Sequence, residues 1–365
     1  MTGQRLLIVP MLLLALLGMA ACWHLTTVGA FNDDACYILQ ARHLLDGVDY
    51  GDLWHLPGQA FVLLPAVALF PDSLTAIRVE ELCITLAAVV TWWQLGRQFL
   101  DPVSAALLGG AFACTPLAWK FGTTAMSDAT FAWLVPLLLL LQIRRSPAVI
   151  LGLGAGLAIL CRAPGVLLAA VLIGRDVYRQ EWRRVSVVIA SLLAVLLVGQ
   201  ACFNLVDRFG VLTQAGSGSL ARATLSAYVA AWGPAMAAAL GEFVGYPSLW
   251  AVAAGLFLAG LASARRIPLL GAFAWLYMAL LLGWAFVEPR FLWPVWPLVL
   301  LLAAYRRPPR LTMSILGLLV ILNVLQLPAL YRVDRQYAAI EPRRWASLDW
   351  LAQHARGERV VTAGA

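Results

Sequence analysis

Four short stretches of this 365-residue chain put acids and bases where chemistry could use them. The first is Phe31-Asn32-Asp33-Asp34-Ala35-Cys36-Tyr37, where Asp33 and Asp34 stand side by side and Tyr37 follows one helical turn on. A carboxylate there could accept a proton from a substrate hydroxyl; equally, Asn32 or Asp33 could cap a helix with its side-chain oxygen. The second is Asp128, in Thr123-Thr124-Ala125-Met126-Ser127-Asp128-Ala129, where the Ser-Asp pair again suits a helix start. The third is Arg162, between the apolar Leu-Ala-Ile-Leu-Cys and Ala-Pro-Gly. A guanidinium beside apolar sequence is costly unless paired, and its planar fork suits a phosphate; snorkelling to lipid headgroups is the plainer alternative. The fourth is Glu288-Pro289-Arg290, a tight turn whose acid and base could hold an anionic group or pair with each other. His55, Lys120 and Trp54 fall on the same side of the apolar segments as these four. No His/Cys/Asp/Glu spacing matches a metal site, and neither a P-loop, a Gly-rich dinucleotide loop nor a Ser-His-Asp order is present.

The segments that must position these residues are apolar. Hydrophobic residues make up 62% and charged residues 12% of the chain, against roughly half and a quarter in soluble domains. No Asp, Glu, Lys or Arg interrupts 6–32, 102–119, 185–206, 243–264, 267–287 or 311–331. Each run is about the ~20 residues that a helix rising ~1.5 Å per residue needs to cross ~30 Å of hydrocarbon. The expected fold is therefore all-α, a polytopic transmembrane bundle of about 11 spans: 6–28, 79–97, 102–119, 126–143, 147–161, 163–175, 184–206, 248–264, 267–286, 291–305 and 311–330. The Gly- and Pro-containing halves 147–161 and 163–175 fit a hairpin as well as two crossings. The run 57–70 is only about 14 residues and contains Pro65, too short to span, so it is expected to lie in the interface.

With that assignment the charges sort by side. One set of loops collects Arg5, Arg97, Arg144, Arg145, Arg175, Arg179, Arg183, Arg184, Arg265, Arg266, Arg306, Arg307 and Arg310, with only Asp101, Asp176 and Glu181 against them. The opposite loops before residue 331 hold seven bases and 12 acids. Such asymmetry marks the Arg-rich side as cytoplasmic. The N-terminus is then cytoplasmic, in what is expected to be a bacterial inner membrane, and the four candidate stretches face out. The net charge of +7 belongs to topology and not to nucleic acid.

Three outer regions follow. In 29–78, apolar residues at Tyr37, Ile38, Ala41, Leu44 and Leu45 line one face of a helix that Gly47 would close. The region 207–247 begins Gly/Ser-rich (Gly216-Ser217-Gly218-Ser219) and turns apolar. After 331 the chain becomes polar, with an amphipathic helix expected over 342–356 and a strand at Arg359–Thr362, the start of a short or truncated C-terminal segment beyond a 1–330 transmembrane domain. Met19-Ala20-Ala21-Cys22 loosely suggests a lipoprotein cleavage site, but the apolar run continues to Ala30, which favours an uncleaved first span. The six cysteines are scattered singly and form no disulfide framework.

These pieces, in this order, resemble the GT-C superfamily of integral-membrane glycosyltransferases, in the branch of protein mannosyltransferases and lipid A aminoarabinose transferases. Asp33-Asp34, Tyr37, Ala41, Gly47 to Tyr50 and His55-Leu56-Pro57 correspond to that branch's Asp-Glu pair, Tyr, Ala, Gly-x-x-Tyr and Lys-Pro-Pro. Ser127-Asp128-Ala129 is similar to its second acidic motif, and Cys161-Arg162-Ala163-Pro164 to its Thr-Lys segment after a Gly-rich half-helix. Glu288-Pro289-Arg290-Phe291 resembles its Arg-Tyr turn. Asp34 stands for the usual Glu, and His55 and Arg162 for the usual Lys. The resemblance implies transfer of a sugar from a polyprenyl-phosphate donor to a hydroxyl acceptor on protein, glycan or lipid, with inversion. It implies Asp33 as general base, Asp34 and Asp128 beside it, Arg162, Arg290, His55 and Lys120 toward the donor phosphate, and Tyr37 and Glu288 as further site residues. It names no obligate cofactor and leaves a divalent cation open. A transporter or lipid flippase is the alternative from another class, although such proteins place ionisable residues near mid-membrane in repeated halves. A catalytically inert GT-C-like subunit is the third.

Overall fold

The computed structural model describes residues 7–24, 33–47, 55–71, 73–208, 225–243, 247–283 and 288–339. Among these every regular element is a helix. In chain order they are α1 (Val9–Ala21), α2 (Asp33–Asp46), α3 (Gly58–Leu69), α4 (Leu74–Gly96), α5 (Pro102–Ala113), α6 (Pro116–Phe121), α7 (Ser127–Ile143) and α8 (Ala148–Cys161). There follow α9 (Gly165–Tyr178), α10 (Trp182–Phe203), α11 (Leu225–Phe243), α12 (Trp250–Ser263), α13 (Pro268–Gly283), α14 (Pro289–Leu292), α15 (Trp296–Ala304) and α16 (Pro309–Val324). The expected all-α membrane bundle is what the chain forms.

Local sequence sets many helix starts. Asp101 caps α5, its carboxylate accepting from the amides of Val103 at 3.1 Å and Ser104 at 3.0 Å, with Pro102 following at a position that needs no N–H. Ser73 caps α4 through the Ala76 amide, and Thr115 caps α6 through the Ala118 amide. Gly47 ends α2 at φ +73°, where its amide bonds the His43 carbonyl. That is the left-handed C-cap for which glycine carries no Cβ penalty.

Several expected spans are broken. The run 102–119 divides into α5 and α6 because Pro116 supplies no amide and drives Thr115 to an extended backbone, φ −67° and ψ 143°. Likewise 291–305 divides into α14 and α15, with Pro294 and Pro297 between and within them. The segment 147–175 is two antiparallel helices turning at Arg162–Pro164, and α8 packs closely on α10. A Cβ on Gly152 would lie 2.4 Å from the Val188 carbonyl oxygen, so only glycine permits that approach. Beyond residue 330 the helix begun at Pro309 runs on, after a turn, to Ala339. The helix and strand expected after 340, and the Gly/Ser-rich stretch 216–219, lie outside the described residues.

Two cores result. The larger joins α1 and α4 to α16, with Trp92, Trp119, Trp293 and Trp296 wholly enclosed and the Phe112 and Trp293 rings stacked 5.1 Å apart. The smaller holds α2 and α3 together through Tyr37, Ile38, Ala41, Ala60, Leu63 and Val67, and reaches Ile77, Ala125 and Phe203. α3 has 12 residues, a length of ~18 Å at ~1.5 Å per residue, well short of a bilayer.

The bundle has two chemically different ends. α7 starts beside Asp128 and finishes before Arg144-Arg145, and the α8–α9 turn returns Arg162 to the Asp128 end. At the opposite end Arg145 pairs with Glu181, and Gln142 donates to Asp176 at 2.6 Å while Arg184 bridges both.

Candidate active site

At the Asp128 end, residues from five separated parts of the chain converge. Asp33, in the first turn of α2, bonds His55 Nε2 through Oδ1 and Arg290 through Oδ2, each at 3.2 Å. Arg290 also engages Glu288 through its Nε, and its Nη1 lies 3.9 Å from Asp128 Oδ2. Asp128 takes its direct partner from Arg162. The result is one continuous chain of charge, His55–Asp33–Arg290–Asp128–Arg162, with Glu288 at its edge.

Burial differs along this chain. The Asp128 side chain is 1% exposed, and those of Arg162 and Arg290 are 14% and 16% exposed, whereas Asp33 is 27% exposed. Asp33 is thus the more accessible of the two aspartates, and Asp128 the more enclosed. Burial works to raise the Asp33 pKa, but the hydrogen bond and charge of His55 and the charge of Arg290 outweigh it, so its carboxyl is held below the usual carboxylate range. Arg290 loses some basicity to burial and regains more from Asp128, Glu288 and Asp33, so its pKa is raised and it stays charged.

Aromatic groups hold these charges in place. Phe291 offers its ring to both arginines, with Arg162 at 5.0 Å and Arg290 at 5.5 Å from its centroid. The Tyr277 hydroxyl donates to the Phe291 carbonyl at 2.6 Å, tying the Glu288–Phe291 turn to α13. Tyr37 shares a hydrogen bond with Ser127 at 3.0 Å and packs edge-on against His55 with ring centroids 5.3 Å apart. Burial pushes the Tyr37 phenol up, so it acts here as a neutral hydroxyl. Tyr37 therefore connects α2 to the start of α7, and with it Asp33 to Asp128.

His55 is placed by its backbone. Its carbonyl accepts from Gln40 at 3.2 Å and from Arg208, which also bonds the Phe203 carbonyl. Gly58 lets α3 sit against the end of α8: a Cβ there would be 2.3 Å from the Cys161 amide nitrogen. Neither Gln40 nor Arg208 was among the residues picked from sequence. The available signal was the Asp207-Arg208 pair that closes the charge-free run 185–206.

The expected site residues divide accordingly. Asp33, Tyr37, His55, Asp128, Arg162, Glu288 and Arg290 come together. Asp34 is fully buried at the start of α2 and accepts from the Ala35 amide at 2.8 Å. Lys120 stands with its ammonium 5.3 Å from the Phe121 ring centroid. Among the described residues no three His, Cys, Asp or Glu side chains converge as a metal site.

No family model matches the chain, and no curated protein matches it by sequence. Its structure is similar to that of ArnT from Cupriavidus metallidurans, solved bound to undecaprenyl phosphate. The TM-score is 0.59 at 19% identity, and the match covers 85% of this chain and 61% of that chain. This chain thus spans about three fifths of the ArnT chain. At that identity the shared property is the fold, an all-α helical membrane bundle like that of ArnT, which is the fold class expected from the sequence.

Proposed function

We propose that the chain is a membrane glycosyltransferase that moves a sugar from a polyprenyl-phosphate donor to a hydroxyl acceptor on the extracytoplasmic face. The observation that carries this reading is the part-exposed Asp33 carboxylate, kept ionised by His55 and Arg290 and joined through Arg290 to the buried Asp128–Arg162 pair. The likeness of fold to ArnT supports the donor class, since that protein was solved with undecaprenyl phosphate.

In this reading the acceptor oxygen forms a bond to the anomeric carbon while the bond from that carbon to the phosphate oxygen breaks. Asp33 takes the acceptor proton, and the lipid phosphate leaves with the bonding electron pair. A carboxylate of lowered pKa is a weak base, but it is fully ionised at neutral pH and needs no prior deprotonation. Negative charge grows on the phosphate as the bond breaks, and Arg162 and Arg290, already oriented over Phe291, are the fixed dipoles and charges to meet it. Asp128 holds both arginines at that position without touching substrate. α2 and α3, with their own small core, form the outer-leaflet flank through which a lipid donor reaches Asp33. The Arg-rich loops on the opposite side set the orientation.

The test is product analysis by mass spectrometry of membranes containing the protein or its Asp33→Asn variant, supplied with polyprenyl-phosphate-linked sugar. Loss of the base should lower turnover by about 10²–10⁴-fold with expression unchanged. Undiminished turnover of Asp33→Asn would remove Asp33 as the base. Accumulation of substrate in sealed vesicles with no covalent product would replace the whole reading by transport.

A further inference from the structure

The opposite end of the bundle holds a feature that glycosyl transfer does not use. Between α9 and α13, near the end of α7, lies a cavity of about 730 Å³, walled by Phe99, Ile143, Val171 and Ile267. Its lining is almost wholly apolar except at the mouth, where Arg175 and Arg179 stand one helical turn apart beside Tyr178. Tyr178 is 89% exposed, as expected of an aromatic ring at a membrane–water boundary. Gly174 also lines the cavity, and a Cβ added there would meet nothing within 4 Å. The wall is therefore open at that point and not closed by protein.

Charge at the mouth is unbalanced. Three carboxylates belong to this end, and each is engaged. Asp176 accepts from Gln142 and Arg184, Glu181 pairs with Arg145, and Asp101 caps α5. Arg175 donates to a backbone carbonyl, that of Gln142 at 2.9 Å, and feels Asp176 and Glu181 only through space, each of these carboxylates being bonded to another arginine. Further positive charge comes from Arg144, Arg183, Arg265 and Arg266 on the adjoining segments. An apolar trough of this size, opening at two arginines that form no close ion pair among the described residues, matches a molecule with hydrocarbon chains and one anionic head.

We propose that this groove seats an anionic phospholipid of the Arg-rich leaflet. Its acyl chains lie along Val171 and Ile267, and its phosphate meets Arg175 and Arg179. Two arginines near an anionic headgroup together correspond to about a thirty-fold preference over a neutral lipid. The site lies at the opposite end of α7 and α9 from Asp128 and Arg162, so it is separate from the donor site and stands independently of the transferase reading.

The experiment is native mass spectrometry of the purified full chain, delipidated and titrated with phosphatidylglycerol, phosphatidylcholine or undecaprenyl phosphate. Phosphatidylglycerol should be retained about thirty-fold more tightly than phosphatidylcholine, and Arg175→Gln/Arg179→Gln should erase that preference. A Cβ at position 174 meets nothing within 4 Å, so Gly174→Leu should extend into the groove, keep the parent's melting temperature and lose the tightly held phosphatidylglycerol. If the arginine variant fails to fold, Gly174→Leu decides alone. Equal retention of the two phospholipids, full retention by Gly174→Leu, or preference for undecaprenyl phosphate over phosphatidylglycerol would each overturn the proposal.

Discussion

Arg162→Ala removes the direct partner of an aspartate that is 1% exposed. Taking one member from a buried ion pair costs about 3–5 kcal/mol, because the remaining charge stays desolvated and uncompensated. Here the loss should sit at the lower end, about 3 kcal/mol, because Arg290 Nη1 remains 3.9 Å from Asp128 Oδ2. At that separation and an effective dielectric of ~20, the gross attraction is about 4 kcal/mol. Arg290 is shared, however: it also serves Asp33 and Glu288, so three carboxylates would then depend on one guanidinium. Adding Asp128→Asn to Arg162→Ala removes the orphaned charge and should recover about 2 kcal/mol of what the single substitution loses. The assay is reversible unfolding in mixed detergent micelles, run on the parent, both single variants and the double variant. Coupling between contacting residues of this kind is about 0.5–3 kcal/mol, against at most about 0.5 kcal/mol for independent sites. Strict additivity of the two substitutions would refute the claim that Asp128 exists to hold Arg162.

His55→Ala takes away the hydrogen bond and charge that oppose burial at Asp33, so the Asp33 pKa should rise. A base of lowered pKa keeps activity until pH falls through that value. The acid limb of kcat/KM should therefore move to higher pH in the variant, and a limb that stays in place would separate His55 from Asp33. Gly58→Ala puts a Cβ 2.3 Å from the Cys161 backbone nitrogen, which cannot yield cheaply. About 1–3 kcal/mol of stability should be lost to overpacking, together with turnover as His55 shifts; a parent-like melting curve would contradict that contact. Tyr37→Phe removes the 3.0 Å bond to Ser127 and should cost about 1 kcal/mol, and Ser127→Ala in addition should cost little more. Equal and additive losses from the two would show that the hydroxyls do not meet.

Much of this arrangement was readable along the chain, and for local reasons. The helix over 34–46 and its glycine stop follow from apolar spacing and from the one residue type that accepts φ +73° without strain. The membrane class follows from charge-free runs, because no soluble core needs so many of that length. The broken spans were less legible: Pro116 and Pro294 stand in plain view, but whether a proline kinks, starts or ends a helix depends on what satisfies the freed backbone groups.

What composition and spacing determined by themselves was the class of fold, the set of candidate residues and the side on which they gather. Partner choice was decided only by tertiary structure. Asp33 meets Arg290 across 257 positions, and Asp128 meets Arg162 across 34. No local periodicity records such pairings, since they depend on how α2, α7, the α8–α9 turn and α14 pack together. The same packing separated residues that sequence treated alike, leaving Asp33 part-exposed and Asp34 enclosed, and setting Lys120 against the Phe121 ring. Adjacent side chains on a helix point about 100° apart, so one carboxylate of a neighbouring pair meets the cluster and the other is enclosed by the helix packing.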